Sequence, residues 1–405
     1  MEHIEKRKLS ISLYLNYLVH GIGLIILTQN MQELEKFWHS PLATVSYVIS
    51  GIGIGKLIAY SLFGYLSDRI GRKTIIMVGM ASYTGFFIGI PLTKSIIVAF
   101  LFAVLAGIAN SALDSGTYPT FVEMGGSSSA SNVFIKAFMS MGEFILPLIV
   151  ATLETRNLWF GWSFVLPLIL LVINFLLIRK IHFPTMKQAE ESEEQAVTIS
   201  KPRKVISAIA LSLYGFTSMA IMILFTQWIT IFAHQKLHLL MVTSHGLLSL
   251  YSIGSIMGVV VTFIILKMGV AEAKVLLTNT AISLVAILSI SVLTNQLLIT
   301  IACWAFGFTA AGGVLQVALN MLLKVLPVQK GVITGLYMTF GSIATFTVPV
   351  VTGWLANNIQ MIMNLDVFIG IFVTGLALVA ALCAQKVPAA NPKLVMDHVS
   401  SAKIK

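Results

Sequence analysis

Gly64-Tyr65-Leu66-Ser67-Asp68-Arg69-Ile70-Gly71-Arg72-Lys73 stands between two long apolar runs, 43–66 and 74–93. Four charged side chains in ten residues cannot sit in hydrocarbon, while the runs on either side have the length of membrane spans. The decapeptide is therefore a short turn joining two spanning helices. Gly64 and Gly71 permit close backbone approach and tight turning there.

Composition extends this reading to the whole chain. Apolar residues make up 57% of the 405 residues and charged residues 10%, against about 25% charge in soluble domains. With about 20 apolar residues per spanning helix, the length leaves room for about twelve. The first apolar run is too long for a cleaved secretory signal, and no small-residue cleavage site follows it, so it is expected to remain as a span. Cys303 and Cys383 both lie inside apolar runs, without disulfide or metal spacing. Gly51-x-Gly53-x-Gly55 also falls inside a run and is read as helix packing, not a phosphate-binding loop. No nucleophile–base pair, metal cluster or soluble module is legible. Neither enzymatic activity nor a cofactor is expected.

The net charge of +10 is a topology signal. The predicted spans are 10–32, 43–66, 74–93, 96–121, 131–153, 159–180, 205–233, 243–266, 272–292, 297–323, 329–352 and 364–385. With these drawn, twenty of the 26 Lys and Arg residues fall on one side, and only Lys36, Lys94, Arg156 and Lys236 on the other. This bias predicts that both termini are cytoplasmic. It excludes nucleic acid as a partner and favours contact with anionic lipid.

The longest connection, 181–204, carries Glu190-Glu191-Ser192-Glu193-Glu194 and the bases Lys201, Arg203 and Lys204. It is read as a cytoplasmic linker between an N-terminal six-helix bundle, 1–180, and a C-terminal bundle with its tail, 205–405. The halves repeat. Leu27-Thr28-Gln29 matches Phe225-Thr226-Gln227, Gly53 matches Gly254, Asp114 matches Gln316, and Pro147 matches Pro349, at offsets of 198, 201, 202 and 202. A nearly constant offset across four span pairs points to duplication.

Ionisable groups inside spans cost a few kcal/mol each and need a reason to be there. Lys56 precedes Asp68 by twelve residues, which puts it about 18 Å deep, near the midplane. Glu143 reaches a similar depth, Asp114 lies about 14 Å deep, and Lys136 only about 8 Å. Lys136, Ser140, Glu143 and Pro147 form one helical stripe, and Asn110, Asp114, Thr117 and Tyr118 another. Asp114–Lys136 and Lys56–Glu143 can be read as structural ion pairs. Alternatively, Lys56 receives an anionic cargo while Glu143 or Asp114 takes up a proton, since burial without a cation disfavours a charged carboxylate. His20 is either a proton carrier or a hydrogen-bonded packing residue. Gln29, Asn30, Gln227, Gln316 and Asn320 offer donors and acceptors for a polar solute, and Trp228 could wall a ring. The interior charges are expected on spans 2, 4 and 5 and on none of spans 3, 6, 9 and 12.

The pattern Gly-x-Leu-Ser-Asp-Arg-x-Gly-Arg-Lys at 64–73 resembles the signature loop of the major facilitator superfamily. Asn16-Tyr17-Leu18-Val19-His20-Gly21, Asn110–Pro119, Ile135-Lys136-Ala137-Phe138, Phe160–Phe164 and Gly341–Thr347 further resemble bacterial inner-membrane transport proteins of the YdiM/YdiN type. The resemblance covers most of the chain outside the linker and C-tail. It implies an all-α membrane protein with the major facilitator fold, twelve transmembrane helices in two pseudo-symmetric six-helix bundles, with spans 1, 2, 4, 5, 7, 8, 10 and 11 lining a central cavity. It also implies that Asp68 latches the cytoplasmic side closed against the N-terminal end of span 11, near Gly331 and Gly335, with Arg69, Arg72 and Lys73 bracing the loop.

The expected function is secondary active transport by alternating access in the bacterial inner membrane. The solute is a small polar organic molecule, an organic anion because of Lys56, with proton symport and the chain acting as a monomer. Helix 5 lacks the Gly-Pro-x-x-Gly-Gly run of drug/proton antiporters, which lowers but does not remove the alternative of a proton-driven drug or metabolite efflux antiporter.

Overall fold

The structure is a computed structural model and describes residues 3–124, 128–184, 201–326 and 330–384. Glu190–Glu194 and the tail beyond 384 lie outside the described residues. The described chain is helical: α1 (His3–Gln29), α2 (Met31–Trp38), α3 (Leu42–Ile70), α4 (Arg72–Leu92), α5 (Ile96–Glu123), α6 (Ser128–Thr155), α7 (Trp162–Ile178), α8 (Lys201–Gln235), α9 (Met241–Lys267), α10 (Glu272–Val292), α11 (Gln296–Phe306), α12 (Val314–Val325), α13 (Lys330–Trp354) and α14 (Ile359–Ala384). A π-helical turn, Gly307–Ala311, links α11 to α12. Eleven helical rods are long and apolar enough to cross a bilayer, with α11, the π turn and α12 counted as one. The twelfth, α7, has 17 residues, at the lower end of spanning length. They form two six-helix bundles, α1–α7 and α8–α14.

Two details depart from the predicted spans. The first span was expected to run to residue 32, but the helix ends at Gln29 and a separate α2 follows Asn30. Its buried face, Met31, Leu34 and Trp38, folds back on the bundle, and Trp38 Nε1 donates to Thr93 O at 3.0 Å. The tenth span was expected to be continuous. It breaks at the π turn and at Gly312-Gly313, where Gly313 has φ +89°. Paired glycines are a common site for such a kink.

Small residues set the helix approaches. A side chain on Gly55 would strike the Val104 carbonyl of α5, and one on Gly258 the Phe308 carbonyl of the π turn. Gly51 and Gly254 make the matching contacts with Phe100 O and Trp304 O. The repeat therefore pairs Gly51 with Gly254 and Gly55 with Gly258, not Gly53 with Gly254. Gly53 faces the other way, where a side chain would strike the Phe346 backbone of α13 in the other half.

The two bundles meet along α3 against α13 and α6 against α9. Several hydrogen bonds cross that seam. Ser46 Oγ donates to Pro349 O at 2.8 Å, and Gln227 Nε2 to Ser46 Oγ at 2.5 Å. Ser249 Oγ donates to Phe144 O at 3.0 Å, and Ser140 meets Ser255 at 3.4 Å. Gln29, Thr230, His245 and Glu154 form a further cluster. All lie from the middle of the bilayer to the end away from Gly64–Lys73. At the Gly64–Lys73 end, hereafter the basic end, nothing lies within 4 Å of a side-chain position built on Gly64 or Gly335. The hydrogen bonds between the halves thus run from mid-depth to the far end, and none among the described residues joins them at the basic end.

Candidate functional site

A narrow cleft lies between the halves, walled by Lys56 and Tyr60 of α3, Met219 of α8, Leu315 of α12, and Tyr337 and Ser342 of α13. Lys56 is only 8% exposed. It is held at this depth because α3 packs closely on α5, where neither Gly55 nor Gly107 leaves space for a side chain. Its electrostatic partner is Asp114 on α5. Asp114 accepts from Tyr17 Oη at 2.5 Å and from Tyr60 Oη at 2.6 Å. Tyr60 Oη also stands 3.2 Å from Asn110 Oδ1. A carboxylate with two hydroxyl donors and a nearby ammonium is well satisfied without a direct salt bridge.

The expected pairing of charges is rearranged. Lys136 lies 4.0 Å from Glu143, seven residues along its own helix α6. It makes no ion pair with Asp114 among the described residues. Glu143 faces the α6–α9 seam, where it acts electrostatically on Tyr251, instead of reaching Lys56. The reason is rotational: a stripe on α6 meets its own neighbours before it meets another helix.

The polar residues singled out in the sequence divide into three groups. Gln316 and Asn320 are exposed, one turn apart on α12 and next to the cleft residue Leu315. His20 and Asn30 are taken up inside the first bundle. His20 Nδ1 is 2.7 Å from Tyr83 Oη. Asn30 donates to Ile26 O at 2.8 Å and accepts from Ser163 Oγ at 3.3 Å. Gln29 and Gln227 belong to the far-end seal. Trp228 is fully buried in the second bundle, its Nε1 without a hydrogen-bond partner among the described residues.

The described contacts of the loop 64–73 stay within its own bundle. Arg72 reaches Asp68 at 2.6 Å, Glu123 at 3.1 Å and Ser67 Oγ at 2.8 Å, tying together the ends of α3, α4 and α5. Lys73 Nζ donates to the carbonyls of Arg179 and Ile181 at 2.8 and 3.0 Å, closing the C-terminal end of α7. Arg69 stacks over Tyr65 at 4.4 Å. Asp68 is 68% exposed and pairs with Arg72. The surroundings of Gly331 lie outside the described residues, and those of Gly335 are open.

Three functional-looking residues escaped the sequence reading. His245, on α9, is buried between Glu154 and Gln29. Glu154 is the last acid of α6, and both it and His245 lie at the edges of predicted spans, where a charge is unremarkable. Asp366 corrects the expectation that span 12 carries no interior charge. It is fully buried on α14, with neither oxygen hydrogen-bonded among the described residues. The helix starts at Ile359, not at 364, so Asp366 lies about 10 Å along it.

Comparison with known proteins agrees with this architecture. The family model described as "Major Facilitator Superfamily" matches residues 13–349. The Inner membrane transport protein YdiM of Escherichia coli (strain K12) is 38% identical over 387 residues, covering 93% of this chain and 94% of that protein. The Inner membrane transport protein YdiN of the same organism is 32% identical over 357 residues, covering 87% and 85%. Among solved structures, a D-xylose-proton symporter superimposes with a TM-score of 0.71 at 11% identity, covering 94% of this chain and 97% of that one. At that identity the likeness concerns the fold alone. With eleven long apolar helices, a family model that matches most of the chain and a 38% identical inner-membrane relative over nearly all of it, this chain belongs to the Major Facilitator Superfamily and is a multi-pass membrane transporter.

Proposed function

We propose that the chain is a secondary active transporter that carries a small polar organic anion across the bacterial inner membrane by alternating access, coupled to protons. The moving units are 1–180 and 205–405, joined by the linker 181–204, and a monomer suffices. Both termini are cytoplasmic, in keeping with the side that holds twenty of the 26 Lys and Arg residues. In that orientation the sealed end faces outward and the cleft opens to the cytoplasm. The names of YdiM and YdiN support the inner membrane. The D-xylose-proton symporter supports proton coupling on this fold.

The observation that carries the reading is Lys56, a buried cation on the cleft wall whose electrostatic partner is Asp114. A carboxylate entering the cleft competes with Asp114 for Lys56. A proton taken up by Asp114 removes that competition and leaves Lys56 to the cargo. Proton and anion then bind with mutual advantage, which is the thermodynamic content of symport. Gln316 and Asn320, exposed on α12, are the candidates to meet hydroxyls of the same cargo. Glu143, beside Lys136, is the second candidate for proton uptake.

The test begins with organic acids screened for thermal stabilisation of the purified protein, since a ligand stabilises the state it binds. Lys56→Met is expected to weaken binding of the stabilising acid about ten- to a hundredfold, the loss of a charge-assisted bond of about 1.5–3 kcal/mol. Asp114→Asn is expected to bind the acid but fail to accumulate it uphill in proteoliposomes under a proton gradient. Unchanged binding by Lys56→Met removes the anion role, and uphill uptake by Asp114→Asn removes Asp114 as the coupling acid. The remaining cleft wall, Met219, Leu315, Tyr337 and Met338, favours a second reading, efflux of lipophilic compounds. Stabilisation by lipophilic cations instead of organic acids would select it.

A further inference from the structure

We propose that His245 is a proton-binding residue of the transport cycle: a charged clasp between the two bundles whose proton holds the far end shut. The proposal builds on the proton-coupled reading above. It concerns a site distant from the cleft and unrelated to Lys56 or Asp114.

His245 is 1% exposed, near the far end of α9 in the second bundle. Its Nε2 lies 2.9 Å from Oε2 of Glu154 on α6, and its Nδ1 lies 2.8 Å from Oε1 of Gln29 on α1. Both partners belong to the first bundle. A carboxylate oxygen can only accept, so Nε2 carries the hydrogen between His245 and Glu154, and a second proton on Nδ1, facing the Gln29 amide, makes the ring an imidazolium. Gln29 continues to Thr230 Oγ1 on α8 at 3.4 Å. One ring thus ties together four helices, two from each half.

The charges around it are few. Glu154 is the carboxylate in contact, with its side chain 9% exposed. Lys36 of α2 acts electrostatically on Glu154 from the first bundle. Gln29 and Thr230 from α1 and α8 are neutral. Deeper on the same α6–α9 seam stand Glu143, about three turns below Glu154, and Tyr251, under two turns from His245. The nearest titratable residue on α8 beyond this cluster, His234, turns its Nδ1 to Leu239 O at 3.0 Å. With a protonated ring the clasp is a neutral ion pair. With a neutral ring it leaves Glu154 as an uncompensated charge in a dry interface, which is costly. Parting the halves would return Glu154 to water and remove that cost. Proton release from His245 and opening of the far end are therefore linked. A small crevice touches His245, Glu154, Gln29 and Thr230 and extends to Gln32 of α2.

The experiment needs no cargo. Spin labels at Leu158→Cys and Leu240→Cys report the far-end separation in lipid nanodiscs, in a Cys303→Ala/Cys383→Ala background. Leu158 and Leu240 are 50% and 78% exposed, on opposite bundles. On raising the pH from about 5 to about 8, the range over which histidine changes charge, the far-end-open population of the parent is expected to rise several-fold. His245→Gln, which keeps a donor for Glu154 but cannot titrate, is expected to show the same distance distribution across that range. Glu154→Gln removes the counter-charge and is expected to open the far end already at the lower pH. A parent distribution that ignores pH overturns the proposal, as does a parent-like pH response in either variant. Failure of anion binding at Lys56 leaves this measurement untouched. A pH-indifferent far end combined with intact proton-coupled uptake overturns this proposal alone.

Discussion

Asp366 is the residue whose surroundings make least sense for stability. An unsatisfied buried polar group costs about 1–3 kcal/mol, and both its oxygens lack partners among the described residues. Asp366→Leu is expected to stabilise the protein by about 1 kcal/mol or more, read as a higher unfolding midpoint in detergent, because an apolar side chain of similar size leaves no unpaired polar group in the interior. At this scale the sequence was legible where a charge stood deep in an apolar run, as Lys56, Asp114 and Glu143 do. It was silent on partners. Asp114 found Tyr17 and Tyr60, aromatic residues that raise no alarm in a membrane span. Lys136 found Glu143 on its own helix. His245, Glu154 and Asp366 were hidden by span boundaries a few residues out of place.

Among the elements, the turn between α3 and α4 carries the clearest message. Its strength comes from Arg72, which serves Ser67, Asp68 and Glu123 at once. Glu123 is nearly buried, so removing its cation leaves an unpaired carboxylate. Arg72→Ala is expected to cost about 3 kcal/mol, the lower range for breaking a buried pair. Arg72→Lys should recover only part of it, because a lysine cannot reproduce the fork. Thermal unfolding of the two variants in detergent tests both statements. The turn and the spans on either side were legible because dense charge between apolar runs has one solution in a bilayer. The separate α2 and the π turn after α11 were not, since each depends on what its flanks pack against: the body of the first bundle for Trp38, and α9 for the π turn.

For the whole molecule, the far-end seal is the prediction with most reach. A side chain on Gly353 would place its Cβ 3.2 Å from that of Ser46 in the other half, close to the Cβ separation of about 3.5–4.5 Å that a disulfide needs. Ser46→Cys with Gly353→Cys, in a background lacking Cys303 and Cys383, is therefore expected to crosslink on oxidation and to stop transport, with activity restored by reductant. Retained transport in the fully crosslinked protein would show that the halves do not part at this end. By itself the sequence determined a twelve-span membrane chain made of two related halves with its basic residues gathered at one end. Those properties follow from transfer free energies that add up along a single helix and ask nothing of its neighbours. Only the tertiary structure decided which charges meet, that Gln29, Glu154 and His245 close one end, and that Asp68 pairs with Arg72 at the other. Such contacts depend on the rotation and depth of two helices at once, and these are settled only when the helices pack.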